Sequence, residues 1–442
     1  MYPFRILSAC GRRAPRPAVV LVLSALGLAV PGPAFAAEPV ASGDVAWVLT
    51  ASALVLFMTL PGLALFYGGL VRARNLLSVV MHCFVCCCVV SILWVAIGYS
   101  LAFGDGGPLL GGLGHGLLAQ IDAPPAPGAL PESAFVLFQM TFAVITPALI
   151  VGAFAERISF PFLILFVALW LIAVYVPVAH WVWGKGWLAQ YGTIDFAGGI
   201  VVHTTAGVSA LVASIMIGAR RGFPNALTPP HSPGMTMAGA GMLWVGWFGF
   251  NGGSALAANG SAAMAILATH GAASAAAVTW MAIEWLRFGK PTSVGLVTGC
   301  IAGLATVTPA SGFVGPVSGV VIGAAGAGLC FWVTGIIKKR LLIDDTLDVF
   351  AVHGVGGMLG SLLVAVFALP QLGGIGYAQG MTLTSQLGAQ AIGVAAVAVW
   401  SVVATYLLIK LIGALVPVRV AADEESEGLD IATHGEHAYD HG

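Results

Sequence analysis

Residues 195–204 read DFAGGIVVHT and residues 345–354 read DTLDVFAVHG. Each segment begins with an aspartate, has a histidine eight residues later (His203 and His353), and opens a long apolar run. The same type of residue at the same spacing in two distant runs indicates an internal repeat. Its two copies determine how the rest of the sequence is interpreted.

The composition around these segments is that of a membrane protein. The chain has 442 residues, of which 59% are hydrophobic and 8% are charged, whereas soluble domains have about 25% charged residues. The 17 Lys and Arg are balanced by 18 Asp and Glu, which excludes a basic nucleic-acid binder. A mean hydropathy of +0.98 predicts an all-α polytopic membrane protein. The 59 glycines favour closely packed helices, because small residues let backbones approach.

Apolar runs of about 20 residues, the length that crosses a bilayer, predict eleven transmembrane helices. They lie at residues 46–70, 78–103, 133–155, 159–180, 197–218, 234–256, 262–283, 293–310, 316–336, 349–369 and 385–416.

The repeat unit is five helices long. The histidine segments open the fifth and tenth runs, and residues 66–69 (FYGG) in the first run resemble residues 250–253 (FNGG) in the sixth. A unit with an odd number of helices repeats with inverted topology, and such repeats share a site near the bilayer midplane. The sequence therefore predicts a five-plus-five inverted repeat with one additional helix.

Basic residues predict the orientation. Of the 13 Lys and Arg after residue 36, 12 follow odd-numbered helices or lie at the end of the eleventh, and Lys185 is the exception. The positive-inside rule assigns that side to the cytoplasm, so we expect the N-terminus outside and the C-terminus inside.

The first 36 residues have the pattern of a secretory signal. A basic start precedes an apolar stretch at residues 19–30 and small residues at Ala34 and Ala36, which predicts cleavage after Ala36 in a bacterial inner-membrane protein. The alternative is an uncleaved additional helix, although the apolar stretch is too short to span a bilayer.

Both repeat histidines are predicted to lie near the bilayer centre. Eight helical residues rise about 12 Å, and the hydrocarbon core is about 30 Å thick, so caps at Asp195 and Asp345 would place the histidines mid-membrane from opposite sides. Ionisable residues at that depth indicate function, and we expect imidazoles that are neutral or share one proton. The alternative is packing histidines, the assignment given to His82 and His270, which lack matched partners.

The spans contain few groups that could bind a metal. Cys83 and Cys86 form a CxxC pattern inside an apolar run, where packing residues are expected, and the sequence predicts no cofactor. No Asp, Glu, Lys or Arg lies near the centre of a predicted span. Such a path suits a solute that crosses neutral or is held by cation–π contacts and hydrogen bonds.

Four motifs together resemble the ammonium transporter family, which includes methylammonium permeases and Rhesus-type proteins, and specifically its bacterial branch. They are residues 60–69 (LPGLALFYGG), 195–204, 247–251 (WFGFN) continuing to Ser254, and 348–354 (DVFAVHG). The resemblance covers nearly all of the chain after residue 46. It implies a transporter rather than an enzyme, with a transport domain at residues 37–416, a cytoplasmic acidic tail at 417–442, and a homotrimer with one pore per subunit.

The resemblance also implies the roles of particular residues. It assigns Trp183, Phe142 and Ser254 to an outer ammonium site, and Phe142 and Phe250 to a stacked phenylalanine pair at the outer mouth. It assigns Phe138 to a secondary outer lining and His203 and His353 to twin pore histidines. Phe66 and Val349 are assigned to the lining of the inner mouth. The chemistry agrees, because Trp is the best cation–π face and Ser254, four residues after Phe250, can accept a hydrogen bond.

The last 20 residues form a distinct acidic segment. Residues 423–442 carry seven acids and no Lys or Arg. Residues 428–430 (GLD) and 434–439 (HGEHAY) resemble the family's cytoplasmic tail, which implies cooperation with a PII-type signal protein that blocks the inner mouth. The alternative is a disordered, solvated tail.

We therefore expect transport of ammonium and methylammonium, with deprotonation at an outer site and passage of ammonia through an apolar pore. The alternatives are a Rhesus-type neutral gas channel and an ammonium sensor with the tail as output, for which the tail is short. A haem protein using both histidines is disfavoured, because each repeat supplies only one.

Overall fold

The structure is a computed structural model that describes residues 41–121, 129–226 and 228–439. Within these ranges the chain is helical, with two isolated β-bridges and no strand, so the predicted all-α class is confirmed. The predicted signal peptide, residues 1–36, lies outside the described residues.

Nine helices in the described part of the chain are long and apolar enough to cross a membrane. Numbered in chain order, with α6 and α8 described below, they are α1 (Ser42–Leu70), α2 (Ala73–Phe103), α3 (Glu132–Phe154), α4 (Phe160–Tyr191), α5 (Gly199–Ile217), α7 (Gly260–Phe288), α9 (Pro316–Arg340), α10 (Phe350–Phe367) and α11 (Leu383–Gly413).

Two further helices occupy the positions of the sixth and eighth predicted spans. Helix α6 runs over Pro233–Trp247 and continues as a π-helical turn at Phe248–Gly252. Helix α8 (Ser293–Val307) is apolar but has only 15 residues. The count of eleven membrane-crossing helices therefore stays a prediction.

Small residues set the helix crossings, as the glycine content suggests. A β-carbon on Gly246 of α6 would collide with Met58 of α1, and one on Gly323 of α9 would lie 2.6 Å from the Ala272 Cα of α7. Backbones at these crossings approach more closely than any larger side chain allows. This is the usual way of packing helices where the surrounding lipid removes the hydrophobic driving force.

Four loops meet in a buried ion network at one end of the helices, which we call the basic face. Glu156 accepts a hydrogen bond from Arg72 Nε (3.0 Å) and pairs with Arg220 (3.2 Å). Arg220 also pairs with Asp344 (2.9 Å). The fully buried Arg157 donates to the Asp344 carbonyl (2.7 Å). These loops follow α1, α3, α5 and α9, so the structure brings together the loops predicted to share one side of the membrane.

The network keeps its carboxylates ionised. Burial acts to raise the pKa of Glu156, but Arg220 and Arg72 outweigh it and hold the pKa below its ordinary value. Burial also opposes ionisation of Asp344, yet hydrogen bonds and charge from Arg220 lower its pKa. A lowered pKa means that the folded state favours the carboxylate, so this stabilisation is present at neutral pH and is lost as the pH falls.

The acidic tail is folded against the basic face. A short helix, α12 (Ala422–Glu427), is followed by a π-helical turn at Asp430–His434. Glu425 accepts from the Arg221 backbone N–H (2.9 Å), and Asp430 accepts from the backbone N–H of Ser78 at the start of α2 (2.8 Å). A solvated tail therefore does not describe residues 422–439.

We expect Asp344→Asn to lower the free energy of unfolding at neutral pH by about 3 kcal/mol, because the buried Arg157 would lose its carboxylate and Arg220 would keep only Glu156. Thermal unfolding in detergent, with the exposed Asp423→Asn as control, measures this. As the pH falls below about 4, the difference from the unsubstituted protein should shrink, because Asp344 itself loses its charge. Equal unfolding temperatures for the two variants at neutral pH would contradict a stabilising role for Asp344.

Candidate functional site

The structure brings the two repeat histidines into contact. His203 Nδ1 lies 3.3 Å from His353 Nδ1, and the rings stack with their centroids 5.2 Å apart. Both side chains are buried. If both rings are neutral, one must carry its proton on Nδ1 and the other on Nε2, so the pair exposes one Nε2 acceptor and one Nε2–H donor. The Nε2 atom of His203 has no hydrogen-bond partner within the described residues.

Buried aspartates position both histidines. Asp195 accepts hydrogen bonds from the backbone N–H groups of residues 198–201, between 2.7 and 3.0 Å. Asp345 accepts from Phe350 N (2.7 Å). Burial raises the pKa of Asp195 despite these bonds, and burial, with Asp348 nearby, raises that of Asp345 to about 6. The predicted capping role agrees with this geometry.

The prediction of how deep the histidines lie counted the helical rise from the two aspartates, and that starting point is wrong. Helix α5 begins only at Gly199, after Gly198 with a φ of 114°, so His203 lies about one turn, rather than two, inside its helix. The segment before His353 behaves alike: Asp348 has a φ of 61°, and a π-helical turn begins at Phe350. The residues between each aspartate and its helix are irregular, so a helical rise does not apply to them.

Two glycines that the sequence analysis did not single out allow the histidine contact. A β-carbon on Gly357 would lie 2.6 Å from the His203 β-carbon, and one on Gly207 would collide with the backbone of Gly354. Each glycine follows its own histidine by four residues. Because Gly207 and Gly357 repeat the offset between the histidines, comparing the two segments further could have identified them.

A narrow apolar passage surrounds the histidine pair. The Trp247 ring stacks on His203 with centroids 5.5 Å apart. The cavity here has a volume of only about 10 Å³, and its other walls include Leu149 and Ile301. Two larger cavities lie beyond it, one towards each end of the helices.

The larger cavity away from the basic face, which we call the outer cavity, contains the predicted aromatic and hydroxyl groups. It has a volume of about 270 Å³, and Trp183, Phe142 and Ser254 line it. Trp183 Nε1 donates to the Asp195 carbonyl (2.9 Å), which fixes the indole. Ser254 follows the last turn of α6, and its hydroxyl donates to the Phe250 carbonyl (2.8 Å). The Ser254 oxygen therefore faces a ligand as an acceptor.

A phenylalanine pair separates the outer cavity from the histidines. The Phe142 and Phe250 rings have centroids 4.3 Å apart and planes inclined at 36°, and the Phe250 centroid lies 6.1 Å from that of His203. Phe138 does not line the outer cavity as predicted. It is fully buried and packs edge-on against Phe142 (4.9 Å), one helical turn away.

Gln139 was missed in the sequence. It lines the outer cavity, is largely buried, and its Oε1 has no hydrogen-bond partner within the described residues. A buried acceptor without a partner loses free energy that a donating ligand could restore. The available signal was an amide three residues before Phe142, on the same face of an apolar helix.

The cavity towards the basic face, which we call the inner cavity, has a volume of about 220 Å³. Phe66 and His353 line it, as do Lys338 and Asp348, which form an ion pair of 2.8 Å. The predicted inner-lining residue Val349 is not on its wall. Val349 is buried and its side chain points to α3, where a β-carbon on Gly152 would lie 2.8 Å from it.

The sequence and structure resemble known proteins along most of the chain. Residues 46–439 match the profile of the Ammonium Transporter Family. The chain is 44% identical over 401 residues to the ammonium transporter of Bacillus subtilis, covering 90% of this chain and 98% of that one. It is 45% identical over 405 residues to the ammonium transporter of Aquifex aeolicus, with 90% and 93% covered.

Solved structures give the same picture. The crystal structure of Candida albicans Mep2 superposes with a TM-score of 0.81 at 35% identity, covering 87% of this chain and 88% of that one. A "Sensor Amt Protein" superposes with a TM-score of 0.82 at 32% identity, with 89% and 98% covered.

We expect Gly357→Ala to separate α5 from α10 and to lower the free energy of unfolding by about 1–3 kcal/mol, the usual cost of overpacking. Gly207→Ala should behave alike. Gly388→Ala on α11, where nothing lies within 4 Å of the added carbon, is the control. Thermal unfolding in detergent measures all three, and a Gly357→Ala protein as stable as the control would show that the crossing tolerates a side chain.

Proposed function

Because this chain belongs to the ammonium transporter family, we propose that it moves ammonium nitrogen, and methylammonium, across a bacterial inner membrane. The observation that supports the mechanism is the order in which the cavities and side chains follow one another from one end of the helices to the other. An outer cavity of aromatic and hydroxyl groups is followed by the Phe142–Phe250 pair, the apolar histidine passage and the inner cavity.

Ammonium binds first in the outer cavity. The indole of Trp183 presents a cation–π surface, and the Ser254 oxygen accepts one of the four N–H groups of the cation. The unpartnered Oε1 of Gln139 accepts another. These contacts replace water around the cation with neutral groups.

The proton leaves before the nitrogen passes the histidines. A charged solute in a passage of about 10 Å³ with apolar walls would lose its hydration without replacement, a cost of several kcal/mol or more. Ammonia avoids this cost. The histidine pair offers it one donor and one acceptor nitrogen, and can relay the proton that ammonium releases.

Potassium is rejected on the same grounds. It cannot give up a proton, and the walls of the passage supply no ring of carbonyl oxygens to replace its hydration shell. The test of the proposed function is electrophysiology on the reconstituted protein, comparing an ammonium pulse with a potassium pulse. A current with ammonium alone supports the proposal. Ammonia flux without current would favour the gas-channel alternative.

In the membrane we propose that the basic face is cytoplasmic, with the mature N-terminus outside after cleavage of residues 1–36. The transport domain is residues 37–416, and residues 417–442 are its cytoplasmic tail. A protease accessibility assay on oriented vesicles tests this orientation. Cleavage of the tail by protease on the extracellular side would show that the orientation is the opposite one.

We propose a homotrimer. His270 is exposed on α7 within an apolar span, and its ring packs at a tilt against that of Trp244, with the centroids 5.3 Å apart. An exposed imidazole within a membrane-spanning helix is expected to contact protein rather than lipid. Native mass spectrometry should give three times the mass of the mature chain, which lacks residues 1–36, and a monomer would refute the trimer.

We propose a PII-type signal protein as partner at the basic face. The docked tail adds a folded acidic surface there, because Glu425 and Asp430 hold residues 422–439 against the loops. A pull-down should recover PII with the full chain but not with a chain that ends at Val416. Equal recovery would remove the tail from that interaction.

The sensor alternative has one supporting observation, the similarity to the "Sensor Amt Protein" combined with the docked tail. It predicts ammonium-dependent protection of the tail from proteolysis without an ammonium current.

We expect Trp183→Leu to weaken the apparent affinity for ammonium by about 2- to 30-fold, the range of a cation–π contact of about 0.5–2 kcal/mol. The concentration dependence of the ammonium current measures it. Trp285→Leu, at the exposed end of α7, is the matched control. If affinity and ion selectivity are unchanged in Trp183→Leu, the indole does not hold the cation.

We expect His203→Ala to lose ammonium current, because the relay is broken and the His353 Nδ1 loses its partner, at a cost of about 1–3 kcal/mol. His203→Asp or His353→Glu should admit potassium, because a carboxylate then lies in the passage. His437→Ala, an exposed histidine of the tail, controls for loss of an imidazole. Selective, normal currents from the His203 and His353 variants would return both residues to a packing role.

A further inference from the structure

The side chain of Gln390 on α11 is fully buried and uses all of its hydrogen-bonding capacity. Its Oε1 accepts from the backbone N–H of Ile194 (2.8 Å) and from Nε2 of Gln386 (3.2 Å). Its Nε2 donates to the carbonyls of Ile194 and Ser361, at 2.8 Å each. A primary amide has two N–H donors and an oxygen that accepts twice, so this amide is held in a single orientation.

These bonds connect α11 to both histidine helices. Ser361 lies on α10, eight residues after His353, and Ile194 lies in the irregular segment that leads into α5. One side chain thus binds both the N–H and the carbonyl of Ile194, which fixes the direction of the chain at that point as a neighbouring β-strand would.

Two further contacts from α11 hold the residues just before Ile194. Gln386 Nε2 also donates to the Gly192 carbonyl (2.9 Å), and Thr193 Oγ1 donates to the Ala389 carbonyl (3.0 Å). Residues 192–194 are therefore attached to α11 by side chains along their whole length. At this depth in an apolar protein such bonds supply what water supplies elsewhere.

The segment held by Gln390 is next to the support of the outer cavity. The Ile194 carbonyl belongs to the peptide unit before Asp195. The Asp195 carbonyl belongs to the following peptide unit and accepts from Trp183 Nε1 (2.9 Å). Because peptide units are planar, only the two backbone dihedrals of Asp195 lie between the unit that binds Gln390 and the unit that binds the indole.

The peptide unit that binds the indole has one other anchor. The N–H of Phe196 donates to the Pro309 carbonyl (3.1 Å). That single bond would leave the unit free to pivot, and the attachment of Ile194 to Gln390 removes this freedom. The Asp195 carboxylate is held separately by four N–H groups at the start of α5. Loss of Gln390 would therefore disturb the indole more than the helix that carries His203.

We propose that Gln390 is a positioning residue for the outer cation site, which orients the Trp183 indole and thereby sets the affinity for ammonium. A cation–π contact requires the cation to lie over the ring face, so the affinity depends on the tilt of the indole. This inference rests on the proposed function, because it needs ammonium to bind at Trp183.

The test uses Gln390→Met, which keeps the length of the side chain and removes all of its hydrogen bonds. Thr405→Val is the matched control. It also removes a buried hydrogen bond between α11 and α5, that from Thr405 Oγ1 to Ser209 Oγ (2.8 Å), but on the side of the basic face. If Gln390→Met does not fold, Gln390→Glu replaces it, because the glutamate keeps an acceptor for the Ile194 N–H.

The readout is a double-mutant cycle between Gln390 and Trp183. We expect Gln390→Met to raise the ammonium concentration that gives half-maximal current by about 2- to 30-fold, the range of a cation–π contact, and to leave the maximal current nearly unchanged. In a protein that already carries Trp183→Leu, the same substitution should add no further increase, because Gln390 acts through the indole. Thr405→Val should leave the half-maximal concentration unchanged.

Two results of the cycle would overturn the proposal. Gln390→Met could have the half-maximal concentration of the unsubstituted protein. Alternatively, it could raise that concentration by the same factor with and without Trp183, which would make Gln390 a general support of the fold.

Thermal unfolding with and without ammonium separates this proposal from transport. A bound ligand raises the unfolding temperature, and we expect a smaller rise for Gln390→Met than for Thr405→Val. If the unsubstituted protein shows the rise but carries no current, the transport proposal fails and the comparison of the two variants still decides the role of Gln390. If ammonium produces neither a rise nor a current, there is no cation site for Gln390 to position, and both proposals fail.

Discussion

The hydrogen bond between His203 Nδ1 and His353 Nδ1 sets the conditions that the surrounding helices must meet. Two imidazoles 3.3 Å apart require the backbones of α5 and α10 to approach more closely than side chains normally permit. Glycines at 207 and 357 provide that approach, each on the helix face next to the other helix's histidine region. Because the walls here are apolar and nearly closed, each imidazole is the main polar partner of the other, and separating them would leave buried nitrogens unsatisfied.

The same contact requires both helices to begin inside the protein. A helix start leaves four N–H groups without intrahelical partners, and there is little water to satisfy them at a buried position. Asp195 accepts from four such groups, and Asp345 accepts from one at the start of α10, the N–H of Phe350. The raised pKa of both carboxyls reflects burial, so the fold accepts a cost in ionising these acids in exchange for placing the histidines.

Features that depend on residue spacing could be predicted from the sequence. Features that depend on local backbone conformation, or on contacts between residues far apart in the chain, could not. The histidine contact was predictable because the spacing recurs in both copies. The inward depth was not, because the residues before Gly199 are irregular rather than helical. Val349 was expected to line the inner mouth, yet the turn that begins at Asp348 directs it to α3. The docking of the tail depends on Asp430 meeting a backbone N–H of Ser78, more than 350 residues away in the chain, and no local pattern contains that information.

Most of the charged residues that the structure describes lie at the basic face, and the charged side chains that line the inner cavity are paired there. Lys338 is paired with Asp348, and Arg220 with Glu156 and Asp344, so the inner cavity presents little net field to a solute. The outer cavity contains aromatic, hydroxyl and amide groups and no paired charges on its wall. In the proposed mechanism, discrimination between cations therefore arises where the cation loses its water, between Trp183 and the phenylalanine pair, rather than at the inner end. A solute that has become neutral by that point meets no electrostatic barrier further along, which makes the proposed deprotonation the step on which selectivity depends.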